Sequence, residues 1–106
     1  MEWRIALKDS VVEDLRWFGR KVGRAILADA TARLKHNPLE ASKTMKTLRS
    51  NRFAQRELRL SGKYRVLFNL VEEESLVTIL LVGEKQGNRL IVQGEEFHEH
   101  ESDSAE

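Results

Sequence analysis

The chain has 106 residues, 41% of them hydrophobic and 33% charged, enough for one modest core and too little for two domains. It has no cysteine, which excludes a disulfide framework, a thiolate nucleophile and a Cys-ligated zinc; no apolar run approaches the roughly 20 residues of a membrane span. The net charge of +1 conceals a polarised chain, since residues 1–65 carry 16 Lys/Arg against 7 Asp/Glu and residues 66–106 carry 2 against 10.

Trp3, Ile5 and Leu7 alternate with Arg4 and Lys8, the pattern of a short strand with one buried face. Ser10-Val-Val-Glu13 matches a capping box and predicts a helix start. Val11, Leu15 and Phe18 give that helix an apolar stripe. Gly19 and Gly23 weaken helix around Arg20 and Lys21, which marks a turn or kink. Val22, Ile26, Ala30 and Leu34 then recur at steps of four, and His36-Asn37-Pro38 ends the second segment, because proline disfavours the α conformation in the residue before it. A helical hairpin or one bent helix satisfies this pattern. Leu39 to Ala54 is polar, basic and weakly patterned, and reads as a loop with a helical turn.

The most informative stretch is Arg56-Glu-Leu-Arg-Leu-Ser-Gly-Lys-Tyr-Arg-Val-Leu-Phe-Asn-Leu-Val71. Leu58 and Leu60 alternate with Glu57 and Arg59, and Tyr64, Val66, Phe68 and Leu70 alternate with Arg65 and Asn69. This predicts two strands joined through Ser61-Gly62-Lys63. A period of two sends Arg59 and Arg65 to the face opposite their apolar neighbours, where two guanidinium groups can hold a phosphate. The basic N-terminal two-thirds also favours a polyanionic partner, through counterion release, although solvated helix faces alone would produce the same excess. Glu72-Glu73-Glu74-Ser75 connects to Leu76–Val82, apolar on both sides and therefore a central strand covered on both faces. Gly87-Asn88-Arg89 turns into Leu90-Ile-Val92, and Gly94 to Phe97 closes the ordered chain. The order β-α-α-β-β-β predicts an α+β fold: N-terminal strand, helical hairpin over Ser10–Asn37, then an antiparallel sheet meander. Residues 1–97 are expected to form a single domain and residues 98–106 an acidic, flexible tail. Trp3, Ile5, Leu15, Phe18, Ile26, Leu34, Leu58, Val66, Phe68, Ile79 and Leu81 are expected to supply the core.

The Tyr64-Arg65 hairpin, with Val82-Gly83-Glu84-Lys85 and the run through Asn88-Arg89-Leu90 to Gly94-Glu95-Glu96, resembles the RelE/ParE superfamily of bacterial type II toxin–antitoxin toxins. The resemblance implies a metal-independent endoribonuclease of RelE type, which cuts messenger RNA on the ribosome, inhibits translation and is neutralised by a cognate antitoxin. It places Arg65, Arg59 and Lys85 at the catalytic positions, with Arg56, Lys63 and Arg89 contacting RNA. It implies no cofactor or metal, nor any membrane contact; a cytoplasmic protein is expected, and a toxin–antitoxin hetero-oligomer binding operator DNA is a further implied partner. Two departures stand out. Glu57 occupies a frequently basic position, and no tyrosine follows Lys85: Tyr64 is the chain's only one and Ile91 lies near the expected place. His98 and His100 are the late titratable substitutes, and two solvated tail histidines would look the same. The departures favour an alternative, a ParE-like gyrase-poisoning toxin without nuclease activity; a non-enzymatic or degenerate RNA- or protein-binding module is the third reading.

Overall fold

The structure, a computed structural model, describes residues 2–98. Its first element, β1 (Arg4–Leu7), leads directly into α1 (Asp9–Trp17) and α2 (Arg20–His36). Helix α1 does not begin with a capping box. The Lys8 amide donates to the Ile79 carbonyl at 2.9 Å, so the chain stays extended through Lys8, at φ −65° and ψ 144°. The turn then starts at once, with the Val11 amide on the Lys8 carbonyl at 2.9 Å. Strand pairing sets the helix start, and Ser10 falls inside the first turn.

The two helices are separate. Gly19, at φ +91°, adopts a backbone conformation that side chains rarely tolerate and caps α2 as the chain reverses. Gly23 lets the helices meet: a Cβ there would lie 2.5 Å from the Leu15 carbonyl oxygen. Val11 on α1 and Ile26, Ala30 and Leu34 on α2 are buried, as the apolar periodicity requires. Helix α2 ends at His36, directly before Asn37-Pro38.

The region from Leu39 to Ala54 contains a strand, β2 (Met45–Thr47), where a helical turn was expected. Met45 is fully buried and pairs with Leu58; tertiary burial of one methionine decides a segment whose own pattern is weak. The rest of that region is organised by Asn51. Its side-chain oxygen accepts from the amides of Phe53 (2.6 Å) and Ala54 (2.8 Å), and its amide group donates to the Arg49 (2.7 Å) and Ala54 (2.9 Å) carbonyls.

From β2 the sheet runs in chain order, each neighbour antiparallel: β3 (Arg56–Leu60), β4 (Tyr64–Val71), β5 (Leu76–Gln86), β6 (Arg89–Val92) and β7 (Glu95–Glu96). The exception is β1, which lies parallel to β5 from Arg4↔Leu76 to Leu7↔Ile79. Strand β5 is longer than the apolar run suggests. Its first half is flanked by β1 and its last residues by β6, with β4 along the other edge. A register shift skips Leu80, so that Leu67 faces Leu81 but Phe68 faces Ile79.

The sheet has two apolar faces. The helices cover one, over Leu58, Leu60, Val66, Phe68, Val77, Ile79 and Val82, with Trp3, Ile5, Leu15 and Phe18 packed partly buried at its margin. Leu81, expected in this core, lies on the other face. There it packs with Ala54 and Leu67 beneath Leu48, Phe53, Leu90, Val92 and Phe97. The skipped residue in β5 explains the difference, because it inverts the alternation between Ile79 and Leu81. Phe53 and Phe97 meet at 5.0 Å between ring centroids, closing this smaller cluster from above. Among the described residues no helix is long and apolar enough to cross a membrane.

Candidate functional site

Alternation in β3 splits its three charged residues between faces. Arg56 belongs to the set Arg56-Leu58-Leu60, which points at the helices, and is buried. Its guanidinium donates to the carbonyls of Pro38 and Glu40, each at 2.6 Å, and burial holds its pKa below the ordinary arginine value against a raising effect of Glu40. Arg56 is therefore a clamp on the chain after α2, and its guanidinium lies on the helical side of the sheet, apart from the other expected RNA contacts. Nothing in the alternation of β3 hides this; the aligned register with Leu58 and Leu60 is the signal.

Glu57 and Arg59 take the opposite face. There Arg59 stands directly across from Arg65 in the β3–β4 register, as the period of two requires. Arg59 Nε donates to Glu57 Oε1 at 3.2 Å, with the carboxylate side chain only 13% exposed. Arg65 is buried, and its Nη1 donates to the carbonyls of Gly62 (3.2 Å) and Tyr64 (3.1 Å). Burial has the largest influence on its pKa and lowers it; Glu57 raises it and Arg59 lowers it. Two guanidinium groups side by side on adjacent strands repel each other, and the Glu57 carboxylate beside them offsets part of that cost.

On the far side of Arg65 stands Gly83 of β5. A Cβ at Gly83 would lie 2.7 Å from the Ile91 carbonyl oxygen, so the glycine lets β6 approach. Lys85, two residues on and thus on the same face as Gly83, is exposed, and its backbone amide donates to the Lys63 carbonyl at 2.7 Å. This bond carries the β4–β5 ladder into the Ser61-Gly62-Lys63 turn and brings Lys63 and Lys85 to one end of the sheet. The Lys63 ammonium lies over the Tyr64 ring, 5.1 Å from its centroid. Tyr64 itself turns to the helices, edge-on to Phe18 at 5.3 Å, so the chain's only tyrosine is away from Arg65. Arg89, exposed on the β5–β6 hairpin, reaches Glu96 at 3.7 Å, and His98 reaches the same carboxylate at 3.7 Å. His100 and the rest of the acidic tail lie outside the described residues. The structure thus groups Arg59, Arg65, Lys63 and Lys85 at one end of the helix-free face, with Arg89 on the neighbouring hairpin and Arg56 excluded. Among the described residues no three His, Asp or Glu side chains gather as a metal-ligand set.

One buried acid escaped the sequence reading. Asp14 is 3% exposed; its Oδ2 accepts from the Val82 amide at 3.0 Å and its Oδ1 from Gln93 Nε2 at 2.7 Å. Val82 lies on the β5 edge between the last residue paired with β1 and the first paired with β6. A side chain from α1 therefore fills a gap in the backbone ladder and ties it to the β6–β7 turn. The available signal was an aspartate on the buried stripe, one turn after Val11 and one before Phe18.

No protein-family model and no curated protein matches the sequence. The fold does match solved structures. The RelBE2 toxin–antitoxin complex from Mycobacterium tuberculosis aligns with TM-score 0.69 at 24% identity, covering 80% of this chain and 93% of that one. The archaeal RelE–RelB complex from Pyrococcus horikoshii OT3 aligns with TM-score 0.63 at 22% identity, covering 83% and 99%. The isolated Escherichia coli RelE toxin aligns with TM-score 0.58 at 18% identity, covering 97% and 95%. An α+β sheet with a helical hairpin on one face is the fold of these RelE structures, and this chain has it.

Proposed function

We propose that this protein is the toxin of a type II toxin–antitoxin pair, an endoribonuclease that cuts messenger RNA on the ribosome and is held inactive by its antitoxin. The observation that carries the reading is Arg59 opposed to Arg65 on the helix-free face of a RelE fold. Attack of a ribose 2′-hydroxyl on the neighbouring phosphorus, its proton passing to water, gives a pentavalent phosphorane whose added charge needs fixed cations; breaking the P–O5′ bond then leaves a 2′,3′-cyclic phosphate and a 5′-hydroxyl that takes its proton from water. Arginine suits this because its fork engages two oxygens and stays protonated. The phosphate displaces Glu57 as the partner of Arg59, Arg65 holds the Gly62–Tyr64 turn beside it, and the exposed Lys85 ammonium joins from β5. No tyrosine is near to take the 2′-hydroxyl proton, so alignment for in-line attack falls to the ribosome, and free RNA is a poor substrate.

The test is controlled expression followed by primer extension on messenger RNA. Arg65→Ala is expected to reduce cleavage on the order of a hundred- to a thousand-fold while the purified variant still unfolds cooperatively. Undiminished cleavage overturns the proposal. One observation favours a second reading, a gyrase-directed toxin: both arginines are engaged, Arg59 by Glu57 and Arg65 by two carbonyls, as in a site kept for architecture. Growth arrest that survives Arg65→Ala together with inhibition of gyrase supercoiling selects that reading.

A further inference from the structure

Directly opposed residues on paired strands share a face, so the helix-free face is a set of rows running across the sheet. One row is Arg59, Arg65 and Gly83, over β3, β4 and β5. The next, two residues along, is Lys46, Glu57, Leu67 and Leu81, from β2 to β5. Glu57 is the one acid in these two rows. It stands diagonally from Arg65, at a backbone separation of about 7–8 Å for such neighbours. The exposed Lys46 lies on one side of it and the buried Leu67 on the other. The apolar cluster under Phe53 and Phe97 abuts the Leu67 side, and the carboxylate side chain is 13% exposed.

Arg59 Nε donates to Glu57 Oε1 at 3.2 Å. A phosphate bound by Arg59 takes that donor and releases the carboxylate. The released group cannot go far, because the backbone beneath it is fixed on both edges. The Arg59 amide donates to the Thr44 carbonyl at 2.7 Å, and Glu57 is in register with Lys46 and Leu67. The carboxylate therefore stays about one water away from the phosphate that replaced it. A carboxylate that loses its cation to an anion takes up a proton more readily, and a base can act through a single water.

We propose that Glu57 is the proton acceptor of the cleavage reaction, working through the water that takes up the 2′-hydroxyl proton. The inference rests on the ribonuclease reading and deepens its site. As O2′ bonds to phosphorus its proton passes to that water, and the water gives one of its own protons to the carboxylate. The P–O5′ bond breaks, the 5′-oxygen takes a proton from a second water, and protonated Glu57 returns its proton to the hydroxide so formed. Binding and activation are one event: the exchange on Arg59 seats the substrate and frees the acceptor. The acid that departs from a basic position thus supplies what the missing tyrosine does not.

The probe is a ribosome programmed with a messenger of defined sequence, cut by the purified full-length protein under single-turnover conditions. Glu57→Gln keeps an oxygen for Arg59 Nε but cannot take the proton. Its cleavage rate should fall on the order of a hundred-fold or more, while the protein concentration giving half the maximal rate shifts by less than about two-fold. Sulfur in place of the bridging 5′-oxygen makes a leaving group that departs without a proton, and the defect should persist with it. Glu57→Ala should recover in part with added formate and not with chloride at the same ionic strength. A role confined to holding Arg59 is preserved by glutamine and predicts no loss. Cleavage by Glu57→Gln or Glu57→Lys as fast as wild type, or faster, overturns the proposal, because the acid is then only a competitor for the arginines. So does full rescue by the sulfur substrate, which marks an acid rather than a base, or indifference to formate. Absence of cleavage by the wild-type protein overturns the ribonuclease reading and this inference with it, whereas wild-type cleavage that survives the substitutions removes the acceptor alone.

Discussion

Replacing Arg65 by lysine separates the two jobs its guanidinium can do. Lysine keeps the charge but loses the planar guanidinium, whose Nη1 donates to both the Gly62 and Tyr64 carbonyls and whose fork can engage two phosphate oxygens. If catalysis needs only a cation, Arg65→Lys retains most of the cleavage that Arg65→Ala loses; if the fork is needed, the two variants fall together in the same primer-extension measurement. Titration of Arg65 plays no part in the ordinary pH range. Burial lowers its folded pKa below the ordinary arginine value, so the cost of burying the charge is present at all lower pH and is relieved only as pH rises through that folded value. Arg56→Ala tests the clamp on the chain after α2: it should lower stability by about 1.5–3 kcal/mol in chemical denaturation, through charge-assisted bonds to Pro38 and Glu40, whatever happens to RNA. The sequence displayed which residues on β3 and β4 share a face, because a period of two is a property of the backbone. It did not display how each arginine is satisfied, because Pro38, Glu40 and the Gly62 turn come from outside the strand.

Strand β5 is the element on which most of the molecule depends. It pairs with β1, β4 and β6, and the vacancy between β1 and β6 is filled by Asp14. Asp14→Ala leaves the buried Val82 amide without its acceptor while the exposed Gln93 side chain turns to water, and the fold should lose about 1–3 kcal/mol in urea unfolding, the cost of one buried unsatisfied group; a loss below about 0.5 kcal/mol would show that water replaces the carboxylate. Gly83→Ala forces a Cβ against the Ile91 carbonyl, and backbone there cannot yield as a side-chain tip does. Separation of β6 from β5 is expected, read as faster amide exchange at Glu84 and Ile91, the pair whose backbone groups face each other across the two strands, with about 1–3 kcal/mol of overpacking cost. At this scale the pattern of α2 was legible from four apolar residues at steps of four. The start of α1 was not, since β1 pairing overrides the Ser10–Glu13 signature, and β2 was not, since its one buried residue, Met45, takes its reason from Leu58 across the ladder.

For the whole molecule, the sheet with a core on its helical face was predictable because hydrophobic alternation and the helix repeat agreed across the chain. Phe68, fully buried at the centre of that core, should cost about 3–5 kcal/mol on truncation to alanine, a large part of what holds a chain this size together; cooperative unfolding at wild-type denaturant concentration would contradict the burial. The two-sided apolar run of β5 predicted a second covered face, but the layer that covers it, under Phe53 and Phe97, was not legible. It is assembled from a loop, a register shift and the last hairpin, none of which has a period of its own.

The parallel partnership of β1 and β5 also sets when the protein becomes what it is. Arg4 pairs with Leu76 and Asp14 bonds Val82 and Gln93, so the amino-terminal strand and first helix find their places only after nearly the entire described chain has been made. Contacts so distant along the chain carry a large closure cost and form late. During synthesis α1 and α2 therefore wait with their apolar stripes uncovered, and the pairing of Arg65 with Gly83 waits with them. A polypeptide stalled before Val82 emerges has its arginines but no completed sheet to hold them. For a protein proposed to act on the ribosome, that order keeps Arg59 and Arg65 from their places in a finished sheet until β5 has emerged.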